Sequence, residues 1–176
     1  MKSIAFSLSI VVATLHFGAF AKGVKNFHEF YESLKNSAQI EETPDLVETY
    51  LANREALPRY GYVSEISPGA RKAMIALAAE VCAKRVALEV AMAADRRVFF
   101  PELVLNGDGT PIAPASRRMA MQRLARAFWG RDPRESELKT LDEVADLFTT
   151  GPAAQRQVAL ALCLSVASAF QTIAYY

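Results

Sequence analysis

The sequence predicts an all-α fold, a single irregular or orthogonal bundle of five to seven helices, and three observations lead there. Apolar residues recur at spacings of three, four and seven along most of the chain. Capping residues followed by proline, as in Thr43-Pro44-Asp45, Ser67-Pro68 and Asp132-Pro133, mark helix starts. A chain of 176 residues, 52% hydrophobic and 22% charged, has the size and composition of one globular domain.

The N-terminus, MKSIAFSLSIVVATLHFGAFAKG, carries a leader pattern. Lys2 and the terminal amine form a positive n-region, Ile4 to Phe17 an apolar h-region, and Ala19-Phe20-Ala21 a small-x-small cleavage site. Residues 1–21 are therefore expected to be a signal peptide, with residues 22–176 the single helical domain. The competing reading, a retained anchor, suffers from an apolar run shorter than the ~20 residues needed to cross a bilayer.

Val24 to Asn36 places Phe27, Phe30, Tyr31 and Leu34 on one helical face. Thr43-Pro44-Asp45 starts a second helix, to about Glu55, with Leu46, Val47, Tyr50 and Leu51 expected inward. Arg59 to Ser67 is a connector too short to argue for a sheet. The longest internal helical pattern, Pro68 to Ala94, aligns Met74, Leu77, Val81, Leu88 and Met92, with Cys82 beside the stripe. Its i,i+4 charge pairs, Glu80 with Lys84 and Arg85 with Glu89, read as solvated-face pairs.

Asp95 to Ala115 breaks the pattern. A short hairpin near 103–113 fits the turn residues Asn106-Gly107-Asp108-Gly109, with Val104-Leu105 facing Ile112. A calcium loop there is excluded by Pro111 where glycine is required and Arg117 where the bidentate glutamate belongs. Ser116 caps a helix from Arg117 to Trp129 that Gly130 closes, with Met119, Met121, Leu124, Ala127 and Phe128 as its apolar side. Two short helices then follow, one opened by Asp132 as cap, Pro133 and a capping-box Glu135, and one from Thr140 to Phe148. The last runs from Ala153 to about Ala174. Its stretch from Val158 to Tyr176 is nearly all apolar and reads as a buried central helix, the alternative being a membrane anchor.

Removal of the leader takes away Lys2 and leaves 19 basic against 19 acidic residues. Such a balance recruits neither nucleic acid nor, in bulk, an anionic membrane. Locally the charge is segregated: Arg117, Arg118, Arg123, Arg126 and Arg131 have no acid between them, and 132–146 holds six acids against Arg134 and Lys139. One consequence would be an anion-binding face for lipid head groups or surface polysaccharide, a membrane-surface contact. The other is that the acidic segment folds back and neutralises it.

Export changes the reading of the two cysteines. In an oxidising compartment Cys82 and Cys163 can pair in only one way within a monomer, closing a loop of about 80 residues worth roughly 4–5 kcal/mol of chain entropy. Two separate buried thiols remain the alternative. Beyond the leader His28 is the only histidine, and it accompanies no nucleophile motif. Neither a zinc ligand set, a haem-attachment or C-x-x-C motif, nor a glycine-rich phosphate loop is present, so no catalytic, metal or cofactor site is assigned. Glu65, Glu102 and Asp108 are the carboxylates left for hydrolytic chemistry.

The run Arg118-Met119-Ala120-Met121-Gln122-Arg123-Leu124-Ala125-Arg126-Ala127-Phe128-Trp129-Gly130-Arg131-Asp132-Pro133, with Glu137-Leu138, resembles a phrase of large exported bacterial proteins. Among these are the helical domains accompanying planctomycete-type cytochromes. Leu57 to Ser67, leading into the helix with Cys82, looks like uncharacterised secreted helical proteins of predatory and other Gram-negative bacteria. The resemblance implies an exported all-helical domain with a helix-to-helix disulfide, and it carries over no catalytic residue and no haem motif. The function expected from these readings is a non-enzymatic periplasmic or envelope domain acting through contacts with an envelope protein. The alternatives are a carboxylate-based periplasmic enzyme and an envelope subunit anchored by 158–176.

Overall fold

The computed structural model describes residues 23–55, 66–106, 111–148 and 154–175. The expected leader at 1–21, most of the 59–67 stretch with Glu65, and the expected turn residues 107–110 with Asp108 lie outside them. Among the described residues the helices are α1 (Phe27–Ala38), α2 (Pro44–Asn53), α3 (Pro68–Ala91), α4 (Pro114–Trp129), α5 (Glu135–Asp146), α6 (Ala154–Ala167) and the single turn α7 (Phe170–Ile173). The architecture is all-α. Two-residue strands β1 (Gly23–Val24) and β2 (Ala174–Tyr175) pair antiparallel, Gly23 opposite Tyr175, and tie the two ends of the domain together.

Local chemistry sets the helix ends. Asn26 Oδ1 accepts the Glu29 N–H while Glu29 Oε2 accepts the Asn26 N–H, a reciprocal box that starts α1 just before its first buried residue, Phe27. Ser67 Oγ accepts from Ala70 N, and Pro68 fills the first position of α3. Gly130 closes α4 at φ 67°, where a side chain on Cβ would be strained. α6 sits at the centre, packed on α3, α4 and α5, while α1 and α2 cover α3 from the other side. Phe30, Leu34, Leu77, Leu124 and Leu162 are fully buried in one continuous core.

Several expectations are corrected. α4 begins at Pro114 rather than Arg117, because proline at the first position overrides Ser116. The two helices expected from Asp132 are one, which starts at Glu135 with Glu137, not Glu135, accepting the N-cap N–H of Arg134, and Thr140 turns its hydroxyl back to the Ser136 carbonyl and stays within α5. Residues 103–106 and 111–113 carry no strand, so the 103–113 hairpin does not form. Leu103 and Leu105 are instead both drawn into the core, and alternation is lost. Leu51, Leu88 and Met119, expected inward, are exposed, and Arg85 and Glu89, expected in solvent, are buried.

The C-terminal apolar stretch is also not one helix. α6 ends at Ala167 because Ser168 Oγ bonds the Leu164 carbonyl, and the Val166 carbonyl accepts from both Thr172 Oγ1 and Trp129 Nε1. Its 14 residues span about 21 Å, short of the ~30 Å hydrocarbon thickness. No described helix is long and apolar enough to cross a membrane.

Candidate functional site

The centre of the molecule is a disulfide. Cys82 on α3 and Cys163 on α6 are bonded, with Cα atoms 5.7 Å apart and both side chains fully buried. Its neighbours along the chain, Leu162 and Val166 on α6 and Ala78 and Val81 on α3, are also fully buried, so the bond is shielded from solvent.

One and two turns along α3 from Cys82, at Arg85 and Glu89, lies a polar joint. Glu89 is 0% exposed and Arg85 3%, and Glu89 Oε1 accepts from Arg85 Nε at 3.0 Å and Nη2 at 2.7 Å. The same carboxylate accepts three consecutive backbone N–H groups, from Val98 at 3.1 Å, Phe99 at 2.9 Å and Phe100 at 2.9 Å. Five donors thus converge on one buried carboxylate. The Arg85 guanidinium lies 5.0 Å from the Phe99 ring centroid, and Arg97 turns back to the Glu89 and Met92 carbonyls that end α3. What this arrangement does is pin the irregular segment after α3, so that Phe99 and Phe100 enter the core. In the folded chain the buried pairs 77/78, 81/82 and 85/86 continue to 89, not to 88.

The five arginines of the expected anion-binding face each hold a carboxylate. Arg117 pairs with Asp142 and Asp146, Arg118 with Glu135, Arg126 with Asp132 and Arg131 with Glu137, all in the acidic segment. Arg123 makes a two-pronged pair with Glu102. That guanidinium holds the Glu102 carboxyl below its usual value, and Arg118 does the same for Glu135. Glu137 is a second buried joint, 2% exposed, receiving Arg131 at 2.9 and 2.6 Å, the Arg134 N–H at 2.7 Å and Gln171 Nε2 at 3.2 Å. Burial alone would raise its carboxyl, but the Arg131 and Arg134 bonds outweigh that and hold it low.

The remaining candidates are dispersed. His28 lies exposed on α1, its Nδ1 3.4 Å from Tyr50 Oη, far in chemistry from any nucleophile. Glu80 forms an ion pair with Lys84, as the spacing predicts, and Lys84 also reaches Asp45 of α2. Among the described residues no group of three His, Cys, Asp or Glu is placed to hold a metal ion. No protein-family model matches the chain, and no curated protein or solved structure matches it either. A half-buried amine at the clasp of the two ends completes the inventory. Lys25 Nζ donates to Ser33 Oγ and to the Thr172 carbonyl, both at 2.8 Å, and burial pulls its pKa down against the attraction of Glu29.

Proposed function

We propose that this protein is an exported, non-enzymatic helical domain that works in the periplasm or cell envelope through contacts with another envelope protein. The observation that carries the reading is the Cys82–Cys163 bond, set in the core between α3 and α6. Such bonds persist in oxidising compartments and are rare where thioredoxin and glutathione keep thiols reduced. The n-region, h-region and Ala19-Phe20-Ala21 of the leader point the same way. So does the similarity of the 118–138 phrase to helical domains of large exported proteins.

The test combines localisation with processing. Osmotic shock of expressing cells is expected to release a protein whose N-terminal sequencing begins at Lys22. Recovery from the cytosol with Met1 and the leader intact overturns export. Co-purification from envelope fractions with mass spectrometry then addresses the contact, and a protein recovered without any stoichiometric companion overturns that half.

A further inference from the structure

Among the described helices of ten or more residues, α2 is the least secured. Leu46 is its single buried residue, where each of the others buries at least four. Its N-cap, Thr43, makes no side-chain cap bond, and Thr43 Oγ1 is buried without a hydrogen-bond partner among the described residues. Arg54 ends it in right-handed geometry, without the left-handed closing residue found in α1 and α4. Ten residues is also below the ~12–15 that hold an isolated helix in water, so α2 keeps its shape only while it lies on the body of the domain.

A short set of contacts holds it down. Tyr50 stacks on Phe27 at 5.7 Å and lies 4.6 Å from the Tyr31 ring, with the His28 ring edge-on at 6.0 Å. Phe27 and Tyr31 are each 3% exposed beneath it. Just ahead of the helix Glu42 accepts from Tyr31 Oη and Lys35, and Asp45 pairs with Lys84 of α3. Both carboxylates are exposed, so these latches are weak and screened by salt. Neither lysine is stranded when the latches part: Lys35 keeps Glu32 at 3.0 Å and Lys84 keeps Glu80 at 3.2 Å. The body beneath is fixed by the Cys82–Cys163 bond and the buried Glu89 and Glu137 joints, whose partners lie outside α2.

We propose that α2 is a lid that opens as one unit from the body of the domain, uncovering Phe27 and Tyr31 of α1 while α1, α3, α4 and α6 stay packed. Gln39 is fixed as the left-handed cap of α1, its carbonyl accepting from Arg85, so the chain turns away at 41–43. Elements with few buried contacts open in this way well before the whole fold does. The consequence is an aromatic face that is covered in the closed form and available only in the open one. This device is independent of the contact reading above.

Hydrogen exchange followed by mass spectrometry on the full-length oxidised protein tests it. Amides of 45–53 are expected to exchange about a hundredfold faster than those of 74–86 in α3, at a rate nearly flat in sub-denaturing urea while the α3 rate climbs. Tyr50→Ala is expected to speed exchange in 45–53 about tenfold and leave α3 unchanged, and added salt to speed it a few fold. Uncovering is read separately by iodoacetamide labelling of Phe27→Cys under native conditions, with Leu34→Cys on the same helix as the control. Phe27→Cys is expected to react, and to react about tenfold faster when Tyr50→Ala is added, while Leu34→Cys stays protected. Equal protection and equal urea dependence in 45–53 and α3 overturn the lid, because α2 then unfolds only with the whole domain. Exchange of 45–53 at the rate of an unstructured peptide overturns its closed form. Fast exchange in α2 with Phe27→Cys no more reactive than Leu34→Cys overturns the uncovering, since α2 would then fray in place.

Discussion

Replacement of Glu89 by glutamine is the sharpest test of how this fold is held. Wild-type Glu89 offers two anionic oxygens to five donors at 2.7 to 3.1 Å, and among the described residues it is the carboxylate paired with Arg85. Glutamine keeps the shape but presents an NH2 group where one set of donors expects an oxygen, and it leaves the guanidinium uncompensated. Breaking a buried pair of this kind costs about 3–5 kcal/mol, much of the ~5–15 kcal/mol that holds a domain folded. Urea unfolding followed by far-UV circular dichroism should therefore show the midpoint falling by about 2 M for Glu89→Gln. Arg85→Met should cost roughly half as much, because the carboxylate keeps its three backbone donors.

The double variant Arg85→Met/Glu89→Leu discriminates further. A buried ion pair that serves only itself can be exchanged for apolar residues at little or no loss. Here the N–H groups of Val98, Phe99 and Phe100 would be orphaned, each at about 1–3 kcal/mol, so the double variant stays destabilised. A double variant as stable as wild type, or Glu89→Gln within ~1 kcal/mol of it, would refute the role given to this carboxylate.

Other expectations follow from single features. Unfolding without reductant in the presence of an alkylating agent should label neither Cys82 nor Cys163, and prior reduction should expose both to labelling. At the end of α4, Gly130→Ala meets no atom within 4 Å, so its cost of about 1 kcal/mol is purely that of a positive φ; Gly130→Asn should lose less by thermal melting. Acid lability should follow Glu102 and Glu137, whose folded pKa values lie below the ordinary 4.5. Depressed carboxyls contribute stability that is complete above about pH 4.5 and is lost as pH falls through the folded value. The acid limb of the urea midpoint against pH should accordingly flatten in Glu137→Gln.

Helix starts were legible because their causes lie within four residues of each other. Thr43-Pro44, Ser67-Pro68 and the alternation of Phe27, Phe30, Tyr31 and Leu34 each fix an end or a face locally. The pairing of the cysteines needed no geometry once export was granted. Illegible were the joints made at a distance. That α6 stops at Ala167 depends on the Val166 carbonyl accepting from both Trp129 and Thr172, and no spacing rule foresees an indole arriving from α4. Arg85 and Glu89 resemble a solvent pair because i,i+4 charges usually are one; only the bend at 98–100, which aims three successive N–H groups inward and demands an acceptor, makes them interior.

The disulfide and the Glu89 joint act on opposite sides of the folding equilibrium, which gives a final expectation. A bond spanning 81 positions raises stability chiefly by restricting the unfolded chain, roughly 4–5 kcal/mol in the loop-entropy picture. The carboxylate instead satisfies donors that exist as buried groups only in the native state. Seven residues of α3 separate Cys82 from Glu89, about 10 Å along the axis, and they share no hydrogen-bond partner. Reduction and Glu89→Gln should therefore subtract independently, to within about 0.5 kcal/mol. The reduced wild type should keep its far-UV spectrum and lose only midpoint. Were reduction to abolish the effect of Glu89→Gln, the joint would depend on the bond to hold its geometry, and α3 and the segment after it would have to be treated as a single unit that the disulfide positions.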